Sequence, residues 1–595
     1  ENSSAASDVY KRQNQYSSYV YAIEADGNLV GLASTVTLQG DSFVDTPTNY
    51  GSDTGLGGEV RGNYATLNPL ANLKFQSKTL SNGNLNFGGN MSGSSGYPTA
   101  FSTIGMSSGK YYCEATIDNS TDTSGVYVGT CDKRIINLEV SVGGTYPAAA
   151  GGNAYGAHGK MEQNNSIIST GNGTYTGGDI IGIAYDADNG KLYFSKNGTF
   201  VNSANPASGA NPNLSGITGE QFFTFGVYEN RNVIVNFGQR AFAYTAPSGY
   251  KALCTQNLSN PLVEDGSKYF DTKLWTGSSS TQTISGLNFE PDLLFYKARN
   301  VAYNWGAQDS VRGVGKTLSP NGASTEYTES TGLTGFTSDG FTLDGSGYYI
   351  INNSGTTMAG FAWDAGSSTV TNTDGSVSAQ VRANQSAGFS IASYTGTGAA
   401  ATVAHGLNKE AELFFIKPRN KTGNWITYHK ELGNSNSLFL DLTLASTATS
   451  NFNSTSPTSS VFSISGGGEV NGSGDTYVAY CFAGVEGYSK FGKYTGNGSA
   501  DGLFIYTGFR PAWIMFKKTS STSGWGIYDT TRGEYNSNTP ELIANLANAE
   551  ATVTDRFDIL ANGFKFRSSS FPNESSAVHI YAAFAEHPFK TSRAR

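Results

Sequence analysis

Charge is scarce in this chain: Asp, Glu, Lys and Arg make up 14% of its 595 residues, where an ordinary soluble domain carries about a quarter. Long helices with salt-bridged faces are excluded by that shortage. The net charge of −9 and a pI near 5.2 leave no basic field, which argues against nucleic acid or an anionic membrane surface as a partner. Long apolar runs are missing too. The longest, such as Leu413-Phe-Phe-Ile416, have the length of a strand and fall far short of the ~20 residues a membrane helix needs, so no membrane insertion is expected. Cysteine is limited to Cys113, Cys131, Cys254 and Cys481, with no metal-type pair spacing; buried thiols are the expectation, and a Cys113–Cys131 disulfide is the alternative. The five histidines, His158, His405, His429, His579 and His587, form no two-His zinc spacing. No metal and no cofactor is expected.

What is abundant is glycine, 74 residues, among Ser, Thr and Asn. Short strands joined by tight turns follow, and the fold class expected is all-β. The length suggests roughly four domains. The chain opens at Glu1 rather than Met, as a piece of a longer protein would, and residues 3–13 read as a non-native junction. Residues 1–71 are expected to be an N-terminal fragment and irregular connector. Sequons such as Asn119-Ser-Thr121 matter only on a eukaryotic secretory route.

Over residues 72–250 strand patterns and turns alternate. Gly109-Lys-Tyr-Tyr-Cys-Glu-Ala-Thr-Ile117 alternates apolar and polar residues as a half-buried strand does. Gly178-Asp-Ile-Ile-Gly-Ile-Ala-Tyr-Asp186, the turn Ala187-Asp-Asn-Gly190 and Lys191-Leu-Tyr-Phe-Ser-Lys-Asn-Gly198 make a hairpin that ends in an Asn-Gly turn. The Asp-rich turn lacks the later ligands of a calcium loop and reads as a plain turn. Phe222-Phe-Thr-Phe-Gly-Val-Tyr228 and Asn232-Val-Ile-Val-Asn-Phe-Gly238 form a further antiparallel pair. Four of these motifs in this order, the strands Gly109–Ile117 and Gly178–Asp186, the Leu192–Gly198 hairpin and the terminal Val235-Asn-Phe-Gly238, resemble the SPRY domains, which are concanavalin-like β-sandwiches. Cys113 departs from the pattern, standing where that family usually has Trp. The resemblance implies protein binding through loops at one end of the sandwich, and Tyr155, Tyr228, Asn230 and Arg231 are the binding candidates.

A second pattern occurs three times. Leu293-Leu-Phe-Tyr-Lys-Ala-Arg299, Leu413-Phe-Phe-Ile-Lys-Pro-Arg419 and Trp513-Ile-Met-Phe-Lys-Lys518 are each followed, eight positions after the first Lys, by Trp305, Trp425 or Trp525. Starts at Leu274-Trp-Thr-Gly277, Ser393-Tyr-Thr-Gly396 and Lys493-Tyr-Thr-Gly496 keep the same register. Apolar closing strands complete three sandwich modules at 268–366, 388–488 and 489–590, with 591–595 a tail. Residues 367–387, rich in Ser, Thr and Asn, read as a linker, whereas modules two and three are expected to pack rigidly. The repeated Lys297, Arg299, Trp305, Lys417, Arg419, Trp425, Lys517 and Trp525 could clamp a sugar or an acid. A strand-end ion pair with Trp capping the core explains them better: Asp309 and Arg312 recur as Asp529 and Arg532, but His429 and Leu432-Gly433 stand there in module two.

The sequence holds no Gly-x-Ser-x-Gly elbow, phosphate loop or nucleotide fingerprint. Glu114, Asp179, Asp186 and Asp188 make no indicated glycosidase pair, so a non-enzyme is expected. The whole arrangement is similar to tail-fibre-like structural proteins of marine bacteriophages. That resemblance implies a virion location on a tail or appendage, assembly in the bacterial cytoplasm, other virion proteins and a host cell-surface polysaccharide or protein as partners, and a homotrimer. A tailspike-like polysaccharide depolymerase and a purely architectural virion component are the alternatives.

Overall fold

The computed structural model describes residues 53–588 except 61, 72–77, 90–97, 119–124, 137–147, 149–150, 229–230 and 346–350, together with residue 590 and the backbone of 24–25 and 28–29. The last two form a two-stranded antiparallel pair in a separate small unit, Glu1–Val44 with Arg593–Arg595. Everything below concerns the larger unit, Asp45–Ser592.

Its first part is a two-sheet sandwich. One sheet runs, edge to edge, Ser166–Ser169, Met161–Gln163, Gly152–Gly156, Val126–Asp132, Gln221–Val227, Thr99–Phe101. The facing sheet runs Thr199–Phe200, Lys191–Lys196, Ile180–Asp186, Lys110–Asp118, Asn232–Asn236, Asn86–Gly89, Lys78–Ser81. The expected hairpin is present, with Ile181 opposite Lys196 and Asp186 opposite Lys191. Its Asn197-Gly198 turn takes positive φ at both residues, 48° and 80°, the geometry that makes Asn-Gly the favoured two-residue turn.

The Lys110–Asp118 strand is buried on both faces, not one. Tyr111, Cys113, Ala115 and Ile117 point into the sandwich core. On the outer face, Tyr112 packs with Tyr250 and Phe242, and the Glu114 carboxylate accepts the backbone N–H groups of Ala243 and Tyr244 at 2.8 and 2.9 Å. All four cysteines are buried free thiols, so Cys113 and Cys131 are not bridged. The expected N-terminal connector also belongs to the sandwich: Ala65 and Leu67 lie in its core, and Asp53 accepts from the Ala252 N–H at 2.8 Å. A chain with little regular periodicity can still be buried when neighbouring backbone takes up its hydrogen bonds.

The three repeats each build the same four-stranded antiparallel sheet, in the order opening, closing, central, post-Trp. The opening strands are Phe270–Thr276, Phe389–Thr395 and Ser489–Thr495; the closing strands are Thr357–Trp363, Thr476–Phe482 and Val578–Pro588. The central strands are Leu293–Ala298, Leu413–Pro418 and Phe509–Lys518; the post-Trp strands are Gly306–Asp309, Ile426–His429 and Trp525–Asp529. Register is shared as well, for Leu293, Leu413 and Trp513 stand opposite Trp363, Phe482 and Phe584.

The modules are not beads on a string. Successive residues of a strand face opposite sides, so Leu294 and Tyr296 fill the first repeat's own core, while Leu293 and Phe295 face a core shared by all three. At its centre Trp363, Phe482 and Phe584, one from each repeat, form a triangle with ring centroids 6.2, 6.0 and 5.8 Å apart. Around it Phe270 leans on Phe584 at 5.3 Å, Phe389 on Trp363 at 6.3 Å and Phe491 on Phe482 at 6.1 Å. The repeats are thus three lobes of one pseudo-threefold body. Lobes two and three pack directly against each other, and lobe one joins the same core.

The expected linker 367–387 is instead structured. Thr369–Asn372 and Ala379–Asn384 form a hairpin that extends the second lobe's sheet beside Phe389–Thr395. Polar composition was misleading because an edge hairpin exposes most of one face: Val370 is 53% exposed while Val381 is 1%.

Candidate functional site

The SPRY-type binding candidates divide. Tyr155 lies on the interior strand Gly152–Gly156 and is fully buried. Its hydroxyl donates to the Gly173 carbonyl at 2.7 Å, and its ring meets Tyr175 and Phe194 edge-on or tilted at 5.1 and 5.4 Å. It is a core residue and leaves the binding set. The Gly-flanked Ala-Tyr-Gly string has the composition of a loop because small residues are also what close strand packing needs. Tyr228 and Arg231 are half-buried at one corner of the sandwich, where the Arg231 guanidinium donates to the Tyr228 carbonyl at 2.9 Å. Asn230 lies outside the described residues.

The repeated Lys and Trp residues are interior fittings of the three-lobed body. Trp305, Trp425 and Trp525 are fully buried. Each indole N–H crosses to the next lobe: Trp305 donates to the Ile543 carbonyl at 3.0 Å, Trp425 to Ser319 at 2.9 Å and Trp525 to Phe439 at 2.9 Å. One, three, two, one: the contacts close a ring. The Lys side chains follow the same path, with Lys417 donating to the Ala323 carbonyl and Lys517 to Thr443, both at 3.0 Å. The Lys297 ammonium donates to the Ala298 carbonyl at 2.9 Å. Burial pushes all three lysines down to about 8.

Arg299 and Arg419 lock two of the three seams. Arg299 pairs with Glu550 at 2.8 Å and Arg419 with Glu326 at 2.9 Å. The same glutamates receive the buried Arg532 and Arg312 at 3.0 and 2.9 Å, whose other partners are Asp529 and Asp309, each at 2.5 Å. The expected strand-end ion pair is therefore present, and it is shared across a seam. The repeat pattern singles out neither these glutamates nor Asn321, Asp441 and Asn545, whose side chains accept the N–H of Trp305, Trp425 and Trp525. A signal existed for the last group: an Asn or Asp lies 16, 16 and 20 residues past the Trp.

At the third seam the equivalent backbone bond runs from the Ser446 N–H to the Thr519 carbonyl at 3.0 Å, where the other seams have Glu326 with Arg419 and Glu550 with Arg299. Neutral side chains stand in for the lock. Introducing Ser446→Glu with Thr519→Arg is expected to raise stability by about 0.5–2 kcal/mol, because a partly buried bidentate pair outperforms an exposed one. Thermal unfolding of the double variant beside both single variants tests the coupling.

His429 occupies the acid position of this seam. It is buried, accepts the Glu431 N–H on Nδ1 at 3.2 Å and faces the Tyr581 carbonyl through Nε2 at 3.5 Å. Burial pushes it down to about 3, with Lys430 and Lys493 acting in the same direction and the Tyr581 carbonyl opposing. The unfolded chain binds that proton near 6.5 and the folded chain only near 3, so stability falls as pH drops from 6.5 towards 3. At pH 5 this one group costs roughly 2 kcal/mol. A His429→Gln variant is expected to show a smaller loss of Tm between pH 7.5 and 5 than the parent chain.

Among the described residues no cluster of His, Cys, Asp or Glu could hold a metal ion, and no helix is long and apolar enough to cross a membrane. The turn Ala187-Asp-Asn-Gly190 is a closed hairpin turn in which Asn189 donates to both oxygens of Asp186 at 3.1 and 3.0 Å.

A two-sheet sandwich followed by three lobes on a common aromatic core defines an all-β protein with a SPRY domain: residues 110–240 match the SPRY domain model. The chain belongs to the family described as Domain of unknown function (DUF7483), whose model matches residues 265–588, the three-lobed body. It is similar to Protein SSH4 of Coccidioides immitis (strain RS), 26% identical over 191 residues that cover 30% of this chain and 36% of that protein. The chain thus spans about a third of that curated relative. Among solved structures it is similar to the SPRY domain of human HERC1, at 19% identity over 27% of this chain and 92% of that one, with a TM-score of 0.22. The TRIM65 PSpry domain is similar at 13% identity, 29% and 92% coverage and a TM-score of 0.22. A SPRY domain suggests a protein-binding role.

Proposed function

We propose that this chain is a non-enzymatic binding protein of the tail-fibre or appendage type in a bacteriophage virion, assembled in the bacterial cytoplasm. In this reading the SPRY sandwich presents its Tyr228–Arg231 corner to a host cell-surface protein or polysaccharide, while the lobed body attaches to other virion proteins. The observation that carries it is where that corner lies. Phe222, at the start of strand Gln221–Val227, meets Tyr506 of the third lobe at 4.9 Å, and Tyr228 follows the other end of the same strand, ~20 Å away at the strand rise. One end of the sandwich is anchored against the third lobe, and loops at the end of a rigid sheet commonly carry binding. The homotrimer expected of a fibre would add copies and hence avidity, beside the threefold arrangement already inside one chain.

Purified chain should compete with phage for adsorption to host cells, and Arg231→Ala should weaken that competition by at least about tenfold if the corner is a binding hot spot. Unchanged competition by the variant removes the corner from the reading. Reducing ends released from host polysaccharide by the parent chain would replace binding with depolymerisation.

A further inference from the structure

Where the sandwich meets the lobed body there is a cleft of about 530 Å³, within the range of ~300–1,000 Å³ that small-molecule sites occupy. Three parts of the chain build its walls: the sandwich, the connector after it, and lobes two and three. It is separate from the Tyr228–Arg231 corner, and none of the repeated Lys, Arg or Trp residues lines it.

The lining chemistry is mixed in sign and rich in hydroxyls. Lys133, Lys430, Lys490 and Lys590 face Glu220, Glu412 and Glu486. Several of these groups are held by other residues of the lining. The Lys590 ammonium donates to the Leu258 carbonyl and the Asn260 side chain at 2.7 and 2.8 Å, and Lys430 pairs with Glu412 at 2.6 Å. Glu220 accepts the Tyr506 hydroxyl at 2.6 Å, while burial raises its carboxyl and the nearby Lys490 and Lys133 pull it back down. On one wall Ser108 donates to Ser259 at 2.8 Å.

Such a lining selects among ligand classes. A simple anion meets three carboxylates and a cation meets four ammonium groups, so each is opposed by nearby like charge and the excess over the lining is a single positive charge. An apolar ligand finds no aromatic floor, because Tyr111 and Tyr506 are buried in the walls. A sugar hydroxyl is donor and acceptor at once, and it can satisfy ammonium, carboxylate and serine groups in turn. Pro261, Leu262 and Pro588 line the cleft as well, giving a small apolar surface of the kind the C–H face of a pyranose covers.

We infer that the cleft between the SPRY sandwich and the three-lobed body is a binding site for a short neutral oligosaccharide, held by Lys133, Lys590, Glu486 and the Ser108–Ser259 wall. The inference does not depend on the loop corner, since it concerns free sugars in solution and not adsorption to cells.

Its test is saturation-transfer NMR and calorimetry on the full chain with maltotriose, cellotriose, chitotriose and β-1,4-galactotriose, against inorganic phosphate and a hexaglutamate peptide as charged controls. At least one trisaccharide is expected to bind with a Kd below about 1 mM, and the two anions more weakly. Ser259→Trp, a change at an exposed position that fills the mouth, should abolish binding, and Lys133→Ala should weaken it severalfold; circular dichroism checks that both variants keep the parent fold. Silence from all four sugars, tighter binding of either anion, or full binding by a folded Ser259→Trp variant overturns the inference.

Discussion

Phe584→Ala is expected to destabilise the three-lobed body by about 3–5 kcal/mol, the cost of emptying a fully packed aromatic position. Phe584 is 2% exposed and touches rings from every lobe: Trp363 and Phe270 of the first, Phe482 of the second, Trp513 and Phe491 of its own. The loss should appear as one cooperative shift in urea unfolding. Hydrogen exchange should rise in the closing strands of all three lobes together. Modules that fold separately would instead confine the damage to residues 489–590, and that outcome would refute the shared core. The matching substitution on the outer face of a lobe, Leu274→Ala at a 37% exposed position, serves as the control.

Arg312→Ala is expected to cost a similar ~3–5 kcal/mol, for a different reason: it strands buried negative charge. Arg312 bonds Asp309 and Glu326, and its other amino group donates to the Ala307 carbonyl and the Tyr480 hydroxyl at 3.0 and 3.1 Å. Tyr480 in turn donates to Asp309 at 2.7 Å, so the network joins lobe one to lobe two. Lysine cannot reproduce a planar fork that serves four acceptors, and Arg312→Lys should recover only part of the loss. Asp309→Leu with Arg312→Met removes both charges and should be more stable than either Arg312→Ala or Arg312→Lys, because an apolar pair of similar volume needs no desolvation. Chemical denaturation of the four proteins decides it; if Arg312→Ala alone were neutral, the network would be dispensable to the seam.

How much of this could be read from the residues depended on the range of the interactions. The sandwich strands were legible because their patterns and turns are local: an Asn-Gly turn with both φ positive needs nothing distant to define it. The sheet plan of the repeats was legible for the same reason, since the Lys-to-Trp spacing fixes a strand, a turn and a return strand. Ring closure was not. Leu293-Leu-Phe-Tyr296 says that both faces of its strand are covered, but a run of apolar residues carries no label for what covers the second face. The Arg–Glu locks were hidden likewise, because Arg299 and Glu550 lie 251 residues apart. Tyr155 is the opposite case, a local Gly-rich string with the composition of a loop that forms an interior strand. The hairpin at 369–384 was lost to composition, its Ser and Thr residues being those of an exposed edge.

The ring has a topological corollary. Gly266, at the start of the lobed body, packs so closely under the Ala585 carbonyl that no Cβ could be accommodated there, and Val263 shares the common core with Phe584 and Ala585. Entry and exit of a 324-residue body, residues 265–588, are therefore neighbours. A unit with adjoining ends can be spliced behind another domain, or cut away from it, without parting any two of its lobes.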